Sequence, residues 1–330
     1  MKLRRHLAVV TLASIALAAC GEDDASSTAN SGAPADTDAA TASDAPTVTE
    51  GPTDTGGATE TAAPTDTGEP SGDEPSSGRA YEHPTGADEA VVSLTNVGGF
   101  TMARVSFSMA PNLVISGDGM VYTPAATTAI FPGVLVPPMQ VQTISEEGIQ
   151  EVLAAAEEAG LLAEVDYEDE GTELIADAPT TVLTISADGE VWEHSAYALG
   201  FQGAPGSEEE LSPERQMLQG FVDDLSDLAA LAGAANLGDA ELYVPDDYEI
   251  VAMPVEDPAA LAVDGIEPTV VDWPADAGLA LTDAGACTRI DADAVGGLFE
   301  EANELTLFSE DEVTFEVWAR PVLPGRTCDA

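Results

Sequence analysis

The chain has 330 residues, of which 61 are Asp or Glu and nine are Lys or Arg, for a formal net charge of −52. Such acidity repels phosphate backbones and anionic headgroups, which argues against nucleic acid as a partner. Lys2 is the one lysine, so a GxxxxGK phosphate loop and Schiff-base chemistry both lack their essential residue.

At the N-terminus, Lys2, Arg4 and Arg5 precede an apolar stretch from Leu7 to Leu17, and Leu17-Ala18-Ala19 leads into Cys20. The stretch is short for a bilayer span, and the acidic run Gly21-Glu22-Asp23-Asp24 offers no stop-transfer pattern. The pattern resembles the signal peptide of bacterial lipoproteins. It predicts a signal peptide over 1–19, cleavage at a lipobox, and a mature protein that begins at a lipidated Cys20. That places the protein outside the cytoplasm, anchored to the membrane. Cleavage would leave six basic residues, all arginine, against 61 acidic ones, a net charge near −55.

Residues 20–87 are rich in Thr, Ala, Asp, Ser, Gly and Pro and nearly free of large apolar side chains. They cannot bury enough surface to offset ordering entropy, so they read as a disordered tether. Asp54-Thr55-Gly56 and Asp66-Thr67-Gly68 match the aspartic protease triplet but lack the apolar strands that would hold two such loops together. They read as tether composition.

From 88 onward the pattern becomes structured. Strands are expected at Ala90–Asn96, Ala103–Ser108, Asn112–Ser116 and Met120–Tyr122, the last two joined at Asp118-Gly119. Ser145 caps a helix with Glu146 and Glu147 in its first turn, with Ile149, Val152, Leu153 and Ala156 on its inner face and Gly160 at its end. A second hairpin joins Thr180–Ser186 to Val191–Tyr197 through Asp188-Gly189. A second helix is expected over 208–232, with Met217, Leu218, Phe221, Val222, Leu225 and Leu228 buried. Ser207 with Glu210 and Ser212-Pro213 compete as its start. Further strands are expected at Tyr248–Met253 and Val313–Ala319. A third helix follows Asp291, with Val295, Leu298, Phe299 and Ala302 inward.

The first and third helices align without gaps, each position matching the one 146 further on: Ile149 with Val295, Val152 with Leu298, Leu153 with Phe299, Ala156 with Ala302. Each is followed by strand material that holds a tryptophan, Trp192 and Trp318. The fold expected is α+β: antiparallel sheet with helices packed on one face, in two related strand–helix–strand halves. The first unit would cover 88–235 with a connector helix, and the second 236–330.

With Cys20 lipidated, Cys287 and Cys328 remain, and in an oxidising compartment they read as a disulfide. The alternative is a reactive thiol working with His194. Asp166, Glu168, Glu170, Gly171 and Asp177 fall at positions 1, 3, 5, 6 and 12 of a calcium-loop count, a weak candidate for divalent cation binding. Its glutamates are long for a tight loop, and Pro179 forbids an exiting helix. HExxH, CxxC and GxSxG are all absent from the sequence, so zinc-protease and α/β-hydrolase readings lose their motifs. No catalytic residue and no cofactor is nominated. Trp192, Trp273 and Trp318 are candidates for a binding platform or for core.

Four stretches, Leu113–Val121 with its Gly-Asp-Gly, Ser145–Leu162, Asp177–Gly200 and Trp318–Pro324, resemble functionally uncharacterised secreted proteins and lipoproteins of actinobacteria. The resemblance implies location and build, with no activity attached. The function expected is a lipid-anchored binding or interaction module of the cell envelope, engaging an envelope protein or polymer. The alternatives are a carboxylate-dependent hydrolase of envelope or extracellular polymer, and an inhibitor or protective surface protein.

Overall fold

Turn chemistry and alternation in the sequence resolve into two sheets. The computed structural model describes residues 79–167, 175–201, 212–326 and 328, all within one compact unit, Gly72–Ala330. In chain order the first elements are β1 (Ala90–Gly98), α1 (Ala103–Ser108), β2 (Leu113–Ser116), β3 (Met120–Pro124), β4 (Met139–Thr143) and α2 (Glu146–Glu158). There follow β5 (Pro179–Ala187), β6 (Glu190–Tyr197), α3 (Pro213–Ser226), α4 (Leu228–Leu231), β7 (Glu241–Leu242) and β8 (Asp247–Pro254). The last are β9 (Thr269–Asp272), β10 (Thr288–Asp291), α5 (Ala292–Glu301), β11 (Thr306–Glu310) and β12 (Val313–Pro321).

The first sheet runs β6-β5-β1-β2-β3-β4-β7 and is antiparallel throughout. The second runs β10-β8-β12-β11-β9, antiparallel except where β9 lies parallel to β11. The fold is α+β, as expected.

Local sequence explains these elements. At the β5–β6 turn both Asp188 and Gly189 have positive φ, the conformation a two-residue hairpin favours. The β2–β3 loop has three residues, and only Gly119 takes positive φ there. A Cβ on Gly119 would stand 2.8 Å from the Ile144 carbonyl oxygen, so the turn needs glycine on two grounds. The Ser145 hydroxyl accepts from the Gly148 N–H, capping α2. At the other end the Leu161 N–H reaches the Ala156 carbonyl and the Gly160 N–H the Glu157 carbonyl, a Schellman closure on a left-handed glycine.

Helices α2 and α3 bury Ile149, Val152, Leu153, Leu218, Phe221 and Leu225 against Leu94, Leu113, Ile115, Leu183 and Ile185 of the first sheet. The second core joins Ile250, Phe308, Phe315 and Val317 to Val295 and Phe299 of α5. Each fully buried side chain of this size contributes roughly 1.5–3 kcal/mol. The chain crosses between the sheets in both directions. Leu135, from the β3–β4 connection, lies in the second core. Leu323, beyond β12, packs with Val114, Tyr122, Met139 and Val141 on the opposite face of the first sheet.

Four expectations need correction. Ala103–Ser108 is a short helix and not a strand, because residues three apart, Arg104 and Phe107, both face the second sheet. Arg104 binds the Glu304 carbonyl and the carboxylates of Glu304 and Glu316, and Phe107 lies against Trp318 and beneath the Arg320 guanidinium. The helix expected over 208–232 begins at Pro213, with Ser212 as its cap, and breaks at Asp227, whose side chain caps α4. Ser207 and Glu210 lie outside the described residues. Met217 is exposed, not buried. Finally, packing starts before 88: Tyr81 is buried in the first core, and Arg79 pairs with Glu157 and Asp188.

The likeness of the two capped helices is local. Each follows a strand and precedes a hairpin, with Ser145 and Asp291 as caps. In sheet order, however, three strands separate β4 from β5, whereas two separate β10 from β11.

Candidate functional site

Cys287 and Cys328 form a disulfide, Cα to Cα 5.3 Å. His194 is 1 % exposed: its Nε2–H donates to the Leu161 carbonyl at 2.8 Å, and its Nδ1 accepts from the Tyr167 hydroxyl at 2.8 Å. Burial lowers its pKa, against the opposing pull of the Leu161 carbonyl. A neutral imidazole with both nitrogens occupied is part of the core, not a base. Burial pushes the Tyr167 hydroxyl up to about 12, with the Glu214 charge adding to it, so Tyr167 remains a donor. His83 is no tether residue; its Nδ1 bonds the Pro84 carbonyl and its Nε2 lies 3.1 Å from Glu146. Burial raises the Glu146 pKa, but hydrogen bonds from Gln150 and His83 outweigh it and the net direction is down. That is opposite to what a general acid requires.

Of the calcium-loop candidates, Glu168 and Glu170 lie outside the described residues, as does Cys20. Asp177 has positive φ and its carbonyl accepts the Phe100 N–H. Among the described residues, one group of Cys and carboxylate side chains has ligand spacing, Glu249 with Cys287 and Cys328. Its sulfurs are bonded to each other, and Glu249 is held by Arg320 at 2.7 Å. Trp273 is core: it packs edge-on against Phe308 and its indole N–H donates to the Leu279 carbonyl. Trp192 packs on the first core, and Trp318 faces Phe107. The three tryptophans share no platform.

The structure instead assembles an apolar groove where the chain passes from one sheet to the other. β7 is two residues long: Gln140 pairs with Leu242 and Val141 with Glu241, and the Tyr243 N–H reaches the Met139 carbonyl at 2.9 Å. Val244-Pro245 follows. Proline has no N–H, so the ladder ends there, and the chain enters β8 at Asp247. The opposite wall is the segment from Val134 to Pro138, held to the second half by Leu135 N–H on the Ala302 carbonyl. The groove encloses about 340 Å³ and is lined by Val134, Pro138, Val244, Pro245, Tyr243, Tyr248 and Phe299 among others, with Glu300 as its single charged lining residue. Val244 is 80 % exposed and Leu242 70 %.

Its aromatic residues are fixed. The Tyr243 hydroxyl donates to the Val322 carbonyl at 3.2 Å, and its ring meets Tyr122 edge-on at 5.0 Å. Tyr248 stacks edge-on with Phe299 at 5.2 Å. Burial first, then Tyr122 and the charges of Asp246 and Asp247, push the Tyr243 hydroxyl up to about 12. Burial and then Glu300 raise Tyr248. Both hydroxyls therefore stay neutral, in a negative local field. No family model, curated protein or solved structure matches the chain. The groove had no sequence signature: its walls lie about a hundred residues apart in the chain, and each reads alone as a Pro-rich loop.

Proposed function

We propose that the protein is a lipid-anchored, extracytoplasmic binding module of the bacterial cell envelope, held by Cys20 and engaging its partner through the groove between the two sheets. The observation that carries this reading is the exposure of Val244 and Leu242 beside a preformed apolar groove. Contiguous exposed apolar surface on a soluble domain marks an interaction site. The lipobox and the likeness to actinobacterial lipoproteins support the location. No described helix is long and apolar enough to cross a membrane, so attachment in this reading falls to the lipid.

The test is site-specific photocrosslinking in cells. A photoreactive residue at Val244 is expected to give a discrete adduct, and one at Val191, exposed on the outer strand β6, none. Equal or absent adducts at the two positions would reject the groove as the contact site. Mass spectrometry of the mature N-terminus tests the anchor: a diacylglyceryl Cys20 is expected, and an unmodified N-terminus elsewhere would refute it.

A further inference from the structure

The groove combines apolar walls with unneutralised negative charge. Glu300 lines it, and Asp246 follows Pro245 at its rim, both exposed. Among the described residues no cation pairs with either. The arginines are engaged elsewhere: Arg79 with Glu157 and Asp188, Arg104 with Glu304 and Glu316, Arg289 with Asp247, and Arg320 with Glu249. Arg326 binds the Met109 carbonyl and Arg215 the Tyr197 carbonyl. The chain carries no lysine beyond Lys2 to fill the role. A carboxylate at the edge of an apolar surface gains from a cation brought by a partner, and a net charge of −52 draws such a partner in over long range. The same charge opposes a second copy of this chain and an anionic lipid surface.

Backbone geometry suits an extended occupant. The Tyr243 N–H points to β4, so by strand alternation the backbone groups of Leu242 and Val244 turn outward at a sheet edge. A volume of about 340 Å³ is near the lower end for binding pockets and takes a few side chains, not a large ligand.

We propose that the occupant is an extended peptide segment that sets apolar side chains against Val244 and Pro245 and a lysine or arginine beside Glu300. This rests on the binding reading above and adds the chemical class of the partner.

Isothermal titration of the full mature chain, carrying Cys20→Ser to keep it in solution, tests it. The probes are a capped hexapeptide, Leu-Lys-Val-Leu-Lys-Leu, and its counterparts with Gln or Glu in place of both lysines. The lysine peptide should bind best and the glutamate peptide not at all. Glu300→Gln should weaken the lysine peptide by about fivefold, the order of one exposed ion pair. Val244→Asp should weaken both the lysine and the glutamine peptide, and Glu193→Gln, an exposed charge on β6, should change neither. All three positions are exposed, and urea unfolding checks that each variant folds. Equal effects of Glu300→Gln and Glu193→Gln would mean diffuse attraction and overturn the proposal. A glutamine peptide that binds as well as the lysine one, sensitive to Val244→Asp but not to Glu300→Gln, would overturn the cationic class and leave the groove as a binding site. No heat from any peptide would overturn the peptide occupant, while the Val244 crosslink reports on the groove separately.

Discussion

His194 shows how little the type of a residue says about its work. It is one of three histidines in the sequence, and the residue a catalytic reading would seize first. Its two ring bonds, to Leu161 and Tyr167, use the neutral form completely. Burial depresses its folded pKa below the ordinary value near 6.5, so as pH falls the unfolded chain takes up the proton first. The stability gained from the neutral ring is therefore complete above about pH 6.5 and is lost as pH falls from there through the folded pKa, by at most about 1.4 kcal/mol per pH unit. The pH also acts on the rest of the molecule, so the readout is a difference. Gln at 194 offers one donor and one acceptor without titrating. The Tm advantage of the wild type over His194→Gln should shrink between pH 7.5 and 5.5. A gap that stays constant would mean that His194 does not titrate differently in the folded chain.

Among the elements, those with local signals were legible and those held by distant contacts were not. The two Asp-Gly hairpins and the Ser145 helix announce themselves because turn residue, cap and apolar spacing lie within a few positions of one another. α1 misleads because Ala-Arg-Val-Ser-Phe-Ser alternates like a strand, and only Glu304, Glu316, Trp318 and Arg320, some 200 residues away, favour the helical spacing of Arg104 and Phe107. The Cys287–Cys328 pair was reached by counting cysteines, but its purpose is visible only in space. It ties the end of the chain beside β10 while residues 322–326 lie across the first sheet, with the Gly325 N–H on the Asp88 carbonyl and Leu323 buried. Arg326 completes this tail; burial first, then Arg320, lowers its pKa to about 10, and it stays charged on the Met109 carbonyl. Cys328→Ser, with Cys287→Ser to avoid a free thiol, removes a closure of sequence separation 41, worth roughly 4 kcal/mol in the chain-entropy model. The double variant should unfold at lower denaturant and exchange the Gly325 amide faster. A loss of stability without faster exchange at Gly325 would locate the effect in the unfolded chain alone.

At the scale of the molecule, charge decides between opposing effects of salt. The arginine pairs would be weakened by added salt, but they are few, and the pair of Arg320 with Glu249 is shielded by burial, with side-chain exposures of 9 % and 3 %. Against them stand 61 carboxylates spread over the sequence with nine basic residues to offset them. Most of those among the described residues are exposed and within reach of mobile ions, whose screening length falls from about 10 Å at 0.1 M to about 3 Å at 1 M. Self-repulsion of this kind destabilises the compact state, and screening relieves it more than it weakens a handful of pairs. Raising NaCl from 0.05 to 1 M should therefore raise Tm, by roughly 2–4 °C for each kcal/mol of repulsion relieved in a domain of this size. Sodium chloride is the proper test salt, because sulfate would add its own stabilisation of buried apolar surface. The proposed groove contact should respond in the opposite sense: affinity for the lysine peptide falls with salt while the fold tightens. Stability that falls with NaCl would show that the arginine pairs, not the excess of carboxylates, govern this molecule.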